Sequence, residues 1–190
     1  MIGYPTKRKA YIQTESKPST KRGMNLEEDL NLTNQYYLDL DMANIHKKPT
    51  PITIVKVDYP IRSKSKITEA YFKIPSTTDY NGVYKHRAID FEAKETQSKT
   101  SFTLSNIHLH QIQHMESVAK HGAISFLIIR FTSLDETYLL YIDKFIEFTN
   151  NHNRKSIPID WLRQNAYLIP YSLTPPIHYL KIIDSTYFKE

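Results

Sequence analysis

The segment from Thr77 to Thr96, TTDYNGVYKHRAIDFEAKET, constrains the fold of this chain more than any other. Near its end, Asp90, Glu92 and Lys94 alternate with apolar residues. Residues two apart on a β-strand share a face, so this pattern predicts a strand with one charged and one apolar face. Charged side chains held so close to a core lower the stability of the fold, so stability does not explain their presence. The segment therefore predicts a functional site on a sheet.

Other segments predict an α/β domain built around a mixed sheet. Residues 123–131, AISFLIIRF, form an apolar run typical of a strand buried on both faces. Strands are predicted in four further segments, 52–59, 67–74, 136–142 and 178–183. Helices are predicted in four segments, 25–38, 106–120, 143–149 and 159–165. This order of elements favours a layered α/β domain.

Local signals predict two helix starts. Asn25 and Glu28 have the spacing of a capping box, in which each residue's side chain accepts from the other's backbone. Ser105 is the expected cap of the helix over 106–120, because serine oxygens accept hydrogen bonds from free backbone N–H groups.

The Asn81-Gly82 pair is a strong signal for a two-residue hairpin turn. Such a turn would join a strand ending just before Asn81 to one starting just after Gly82. It would pair Asp79 with Tyr84, not with Glu92. On this prediction Asp79 needs a further bend or strand crossing to reach Glu92.

Composition excludes several classes of protein. The 190 residues contain no cysteine, which rules out disulfides, zinc–thiolate sites and cysteine nucleophiles. The four glycines form neither a P-loop nor a GxGxxG motif, which argues against nucleotide-driven motors and dinucleotide oxidoreductases. His110 and His114 have metal-ligand spacing but no evident third ligand, which argues against zinc. No apolar run reaches the roughly 18 residues of a membrane span.

Positive charge is concentrated in the first residues. The formal net charge is +5, and residues 1–22 carry six lysines or arginines, Arg22 among them, against one glutamate. This composition predicts a disordered basic arm over 1–22 and one domain over 23–190. Such an arm fits a polyanionic partner, although a merely solubilising terminus has the same composition.

A second basic group lies between the predicted strands 52–59 and 67–74. Arg62, Lys64 and Lys66 are spaced by two, so in an extended chain they project from one side. They would contact phosphates. Alternatively, they protect a solvated strand edge against pairing with other chains.

These residues resemble a known family. Asp79 followed by Glu92, one intervening residue and Lys94 fits the acid, acid-x-Lys signature of the restriction-endonuclease-like nucleases. Longer stretches resemble the RecU family of Holliday junction resolvases, among them HKKPTPITIVKVDYPIRS, EAYFKIPSTTDYNGVYK and IDFEAKETQSKTSF. The resemblance extends from about Lys21 to about Phe188.

The resemblance implies a restriction-endonuclease-like mixed β-sheet flanked by helices, with a protruding β-hairpin stalk around residues 52–73. It implies a homodimeric, magnesium-dependent endonuclease that cuts a four-way DNA junction by paired symmetric incisions during recombination and repair. Family members work beside a recombinase and a branch-migration motor. We accordingly expect a cytoplasmic, nucleoid-associated protein.

The site residues follow from the same resemblance. The two metal-binding acids and the catalytic lysine of the family map onto Asp79, Glu92 and Lys94. A helix glutamine near the active site maps onto Gln111, which could alternatively be a surface glutamine. Magnesium prefers carboxylate oxygens and keeps several waters, so two carboxylates and the scissile phosphate suffice. Mn²⁺ is expected to substitute. Asp90 either contacts the metal ligands without binding the metal itself or occupies an ordinary polar position.

DNA contacts are expected from the arm and from the stalk, through Arg22, Arg62, Lys64 and Lys66. Two alternatives remain open at this point. The chain could be a DNA-binding or architectural protein without catalysis. It could also be an end-processing or sequence-specific nuclease of the same superfamily.

Overall fold

The computed structural model describes residues 25–58, 65–73 and 77–188. In these ranges the strands are β1 Asn44–Lys47, β2 Ile52–Asp58, β3 Lys66–Phe72, β4 Tyr80–Tyr84, β5 Arg87–Thr96, β6 Ser101–Thr103, β7 Ile124–Phe131, β8 Glu136–Tyr141, β9 Ser156–Pro158 and β10 Tyr167–Ile169. The α-helices are α1 Leu26–Asp39, α2 Leu109–Lys120, α3 Ile142–Asn151, α4 Ile159–Asn165 and α5 Leu180–Tyr187.

A six-stranded mixed sheet organises the domain. Its strand order is β1-β4-β5-β7-β8-β10, with β5 and β7 parallel and the other neighbours antiparallel. Buried residues of α1 and α5 pack against one face, and buried residues of α2, α3 and α4 pack against the other. The predicted α/β class, a mixed sheet flanked by helices, is confirmed.

Strand β7 lies at the centre of both cores. Phe126 and Ile128 belong to the cluster with α1 and α5, whereas Leu127 and Ile129 belong to the cluster with α2, α3 and α4. All four side chains are fully buried. The interpretation of 123–131 as a strand buried on both faces is therefore confirmed. Strand β5 pairs directly with this buried strand.

Strands β2 and β3 form a separate antiparallel ribbon. Ile52 pairs with Phe72 at one end and Asp58 with Lys66 at the other. Every side chain of the ribbon is exposed except the half-buried Val57. Both predicted strands of the stalk are confirmed in the described residues. The predicted arm and the tip between the strands lie outside those residues.

The hairpin that precedes the charged strand turns later than predicted. Strands β4 and β5 are joined through Lys85 and His86, whose φ angles of 43° and 63° are left-handed. Tyr84 pairs with Arg87 across this turn. Two consecutive residues with positive φ are typical of a type I′ turn, whose twist suits a hairpin. The prediction of a turn at Asn81-Gly82 is wrong, since both residues lie within β4.

Packing against β1 explains the glycine that misled the prediction. A Cβ atom at Gly82 would lie 2.1 Å from the backbone oxygen of Asn44 and 2.5 Å from the Cα of Ile45. A glycine inside a strand often marks such a close approach of another backbone. Gly82 is therefore required by the contact between β4 and β1, a contact between segments that are distant in sequence.

All four predicted helices are confirmed, but the predicted cap of the second one, Ser105, is wrong. The capping box is present, with Asn25 Oδ1 accepting from the Glu28 N–H at 2.8 Å. The second helix starts after His108, because Ser105 lies in a separate 3-10 turn and extended Ile107 intervenes. None of the helices in the described ranges is long and apolar enough to span a membrane.

The last predicted strand, residues 178–183, is the wrong element type. The chain there enters helix α5, whose Leu180 and Ile183 are buried. A spacing of three places these two side chains on one helical face, against the core below the sheet. Four short strands, β1, β6, β9 and β10, have no counterpart in the sequence prediction.

Candidate active site

The later turn brings the two predicted metal-binding acids together. Tyr80 pairs with Phe91, so the same register continued by one residue places Asp79 opposite Glu92. The backbone N–H of Asp79 donates to Glu92 Oε2 at 3.0 Å. No extra bend or strand crossing is needed, because the hairpin itself aligns the two residues.

Glu92 is a buried carboxylate with an incompletely satisfied oxygen. Its side chain has no solvent exposure, and Oε1 lies 2.6 Å from the Lys94 Nζ. Besides this ammonium, no hydrogen-bond donor contacts Oε1 among the described residues. Burial raises the pKa of Glu92 to about 7, against the lowering effect of Lys94, and the nearby carboxylate of Asp79 adds to the rise.

These features fit a divalent cation. Two carboxylates whose negative charges repel each other, one of them fully buried, are stabilised when a cation lies between them. Half-buried Asp79 lines two adjacent clefts of about 310 and about 200 Å³. Lys94 lines the larger cleft and Lys48 the smaller one. In the described ranges, histidine, aspartate and glutamate nowhere form a metal-binding group of three or more.

Asp90 is buried beside this pair and fully engaged. Its Oδ1 accepts from the Thr78 hydroxyl at 2.5 Å, and its Oδ2 accepts from the Lys48 Nζ at 3.0 Å. The His114 Nε2 lies 3.3 Å from the same Oδ2. Asp90 is only 6% exposed, so it is not an ordinary solvated position. The sequence analysis did not identify Thr78 as part of the site.

Comparison with known proteins decides the family. The model of the family described as Recombination protein U matches residues 21–185. Curated proteins from Bacillus cereus and Bacillus mycoides, both named Holliday junction resolvase RecU, are each 55% identical over 172 residues, covering 89% of this chain and 86% of theirs. The chain belongs to the RecU family.

The RecU assignment rests on these sequence matches. A search of solved structures found Archaeoglobus fulgidus Hjc, described as a Holliday junction resolvase from an archaeal hyperthermophile. That structure aligns with a TM-score of 0.36 and 7% identity, over 68% of this chain and 85% of that one. The predicted resemblance to RecU is confirmed.

Gln111, mapped from the RecU family, has a contact of its own. It is 4% exposed, and its Oε1 accepts from the backbone N–H of His108 at 3.0 Å. This bond satisfies a free donor at the start of α2. The role of Gln111 near the active site stays a prediction.

Of the four residues expected to contact DNA, one lies in the described ranges. Lys66 is exposed and begins β3 in the ribbon. Arg22, Arg62 and Lys64 lie outside the described residues. Their contribution to DNA binding stays a prediction.

Proposed function

We propose that this protein is a Holliday junction resolvase that cleaves four-way DNA junctions in a magnesium-dependent reaction, by paired symmetric incisions. The observation that carries the proposal is the convergence of Asp79 and Glu92 across the β4–β5 hairpin, with Lys94 alongside. Relatives that are 55% identical are named Holliday junction resolvases, which supports the choice of substrate.

Asp79 and Glu92 would hold the Mg²⁺ ion, and Mn²⁺ would substitute. When bound, Mg²⁺ would lower the pKa of a water molecule bound to it and neutralise charge on the phosphate. In the hydrolysis the water oxygen bonds to phosphorus, the bond from phosphorus to the 3′ oxygen breaks, and that oxygen takes a proton. The products are a 5′-phosphate and a 3′-hydroxyl. The Lys94 ammonium would offset the negative charge that develops on the phosphoryl oxygens.

Paired incisions require two copies of this site. A four-way junction has two-fold symmetry, so a homodimer would present two active sites related by the same symmetry. The exposed ribbon of β2 and β3 would contact the junction through Lys66, and through Arg62 and Lys64 between the strands. Arg22 of the arm would add a further phosphate contact.

The setting we propose is homologous recombination and DNA repair in the cytoplasm, at the nucleoid. A recombinase and a branch-migration motor are the partners expected there, because they create and move the junctions that a resolvase removes. The basic excess near the N-terminus fits a protein that works on a polyanion.

Electrophoretic cleavage assays test this function. A synthetic four-way junction and a linear duplex of the same sequence are incubated with the protein in Mg²⁺, with EDTA as the metal-free reference. We expect two symmetric nicks in the junction and little cleavage of the duplex. Equal cleavage of both would indicate another nuclease of the superfamily.

The variant Lys94→Ala separates catalysis from binding. We expect it to bind the junction as the wild type does in EDTA but to lose cleavage in Mg²⁺. If the wild type binds junctions yet cuts none in Mg²⁺ or Mn²⁺, the protein is a DNA-binding protein without catalysis, and the proposed function is wrong.

A further inference from the structure

Three separate segments meet at the carboxylate of Asp90. Thr78 comes from the stretch before β4, Lys48 directly follows β1, and His114 lies on α2. Asp90 itself lies on β5, two residues before Glu92 and therefore on the same strand face. One buried carboxylate thus connects three of the described segments near the Asp79–Glu92 pair.

Two of these segments also hold Asp79 in place. Thr78 precedes Asp79, and its hydroxyl is fixed between Asp90 and the Lys48 ammonium, which donates to it at 2.9 Å. The backbone N–H of Lys48 also donates to the carbonyl oxygen of Asp79 at 2.7 Å. The position of Asp79 relative to Glu92 therefore depends on groups that Asp90 holds.

The third contact reaches the helix that carries Gln111. His114 is three residues further along α2, close to one helical turn, so the two side chains share a face. The bond from His114 to Asp90 fixes this helix against β5. Asp90 therefore sets the distance between α2 and the strand that carries Glu92 and Lys94.

Asp90 is not free to hold a cation itself. Its Oδ1 is occupied by the Thr78 hydroxyl, and its Oδ2 by Lys48 and His114. The Lys48 ammonium also balances the buried negative charge. Removal of one partner of a buried ion pair leaves the other uncompensated.

We propose that Asp90 is a positioning residue: through Thr78, Lys48 and His114 it fixes the Asp79 backbone and helix α2 against Glu92, and thereby sets the geometry of the metal site. The proposal rests on the proposed function only for its catalytic part. Groups that orient metal ligands typically change metal affinity or activity by about 10–100-fold when they are replaced.

The test uses Asp90→Asn, which keeps the shape of the side chain but replaces one acceptor oxygen by an N–H₂ donor. Mn²⁺ binding is measured without DNA, from the free Mn²⁺ signal in electron paramagnetic resonance. Junction cleavage in Mg²⁺ is measured at saturating DNA, and junction binding in EDTA. We expect Mn²⁺ affinity and kcat to fall by about 10–100-fold, with junction affinity in EDTA unchanged.

Thr78→Val is the second variant and decides the matter if Asp90→Asn does not fold. It replaces by a methyl group the hydroxyl through which Thr78, the residue before Asp79, binds Asp90 and Lys48. We expect a loss of Mn²⁺ affinity in the same direction. The two losses should not add in the double variant, because both changes break one unit.

Asp29→Asn is the matched control. It also breaks a buried ion pair, since Asp29 Oδ2 lies 2.7 Å from the Arg130 guanidinium, but on the opposite face of the sheet from Glu92. We expect a lower Tm with wild-type Mn²⁺ affinity.

Asp90→Asn with a similarly lowered Tm but wild-type Mn²⁺ affinity and kcat would overturn the proposal, since Asp90 would then be purely structural. The two hypotheses remain separable. If the wild-type protein does not cleave junctions, the proposed function fails, whereas the Mn²⁺ measurement still decides the role of Asp90.

Discussion

The two hairpins of this protein have opposite surroundings. The β4–β5 hairpin lies inside a six-stranded sheet, and its carboxylates Asp90 and Glu92 are buried. In the described residues, strands β2 and β3 of the ribbon pair only with each other, and the ribbon is exposed along nearly its whole length. Reactive groups need fixed positions, which packing on both sides supplies. Phosphate contacts need reach and exposed charge, which the ribbon supplies.

The difference between the hairpins predicts that loss of a carboxylate impairs cleavage at the β4–β5 hairpin and not on the β2–β3 ribbon. Asp79→Asn removes a proposed metal ligand, so we expect cleavage of the junction to fall by about 10³-fold or more, with binding in EDTA retained. Asp58→Asn, the matched change at the end of β2, should cleave as the wild type does. Single-turnover cleavage assays compare the two. Equal losses would break the distinction between the hairpins.

The acidity of Glu92 gives a prediction for the metal-free protein. Burial raises its pKa to about 7 in the folded state, from an ordinary value of 4.5. The contribution of Glu92 to the free energy of unfolding is then largest below pH 4.5 and declines as the pH rises to about 7. Between pH 8 and pH 5.5 the wild type should gain about 2 kcal/mol in its free energy of unfolding relative to Glu92→Gln.

Urea denaturation in EDTA at the two pH values measures this difference. Because the histidines titrate in both proteins, their contribution cancels in the comparison with Glu92→Gln. Added Mg²⁺ should stabilise the wild type at pH 8 and not the variant. An identical pH dependence in both proteins would show that Glu92 ionises as it does in water.

Gly82 tests the packing that fixes the register of the buried hairpin. An alanine there would place its Cβ 2.1 Å from the Asn44 backbone oxygen, so β1 must move. We expect Gly82→Ala to lower the free energy of unfolding by about 1–3 kcal/mol. Val83→Ala, at an exposed neighbouring position, is the control and should cost less. The measurement is urea denaturation at neutral pH.

The smallest predicted effect concerns the exposed ribbon. Lys66→Ala should weaken junction binding and reduce the magnitude of the log–log salt slope by about 0.9, the value for one lost phosphate contact. The rate of cleavage at saturating DNA should not change. Lys144→Ala on α3, where the lysine pairs with Glu147, is the control. An unchanged salt slope for Lys66→Ala would remove this lysine from the DNA interface.

Sequence patterns predicted those elements whose signal is local. The alternation in β5 and the apolar run of β7 indicate which faces are buried, because strand geometry alone determines the period. The capping box of α1 depends on two residues within one turn. The choice of Asp79, Glu92 and Lys94 came from family resemblance, and the structure adds the register that joins Asp79 to Glu92.

The failures have a common cause in long-range packing. Gly82 looks like a turn residue, but β1 determines its presence. The contacts of Asp90 come from three distant segments, so nothing near Asp90 in the sequence indicates them. Helix α5 is short, and its buried residues pack on a core built from distant segments, the sheet and α1. Tertiary contacts of this kind override local preferences.

The central claim is that Asp79 and Glu92 share one divalent cation. The most direct test is a crystal of this protein soaked in Mn²⁺, with the ion located by its anomalous scattering. The account predicts one anomalous peak within ligand distance of both carboxylates, and its loss in Asp79→Asn. A fully occupied Mn²⁺ elsewhere, with none between these carboxylates, would contradict the account.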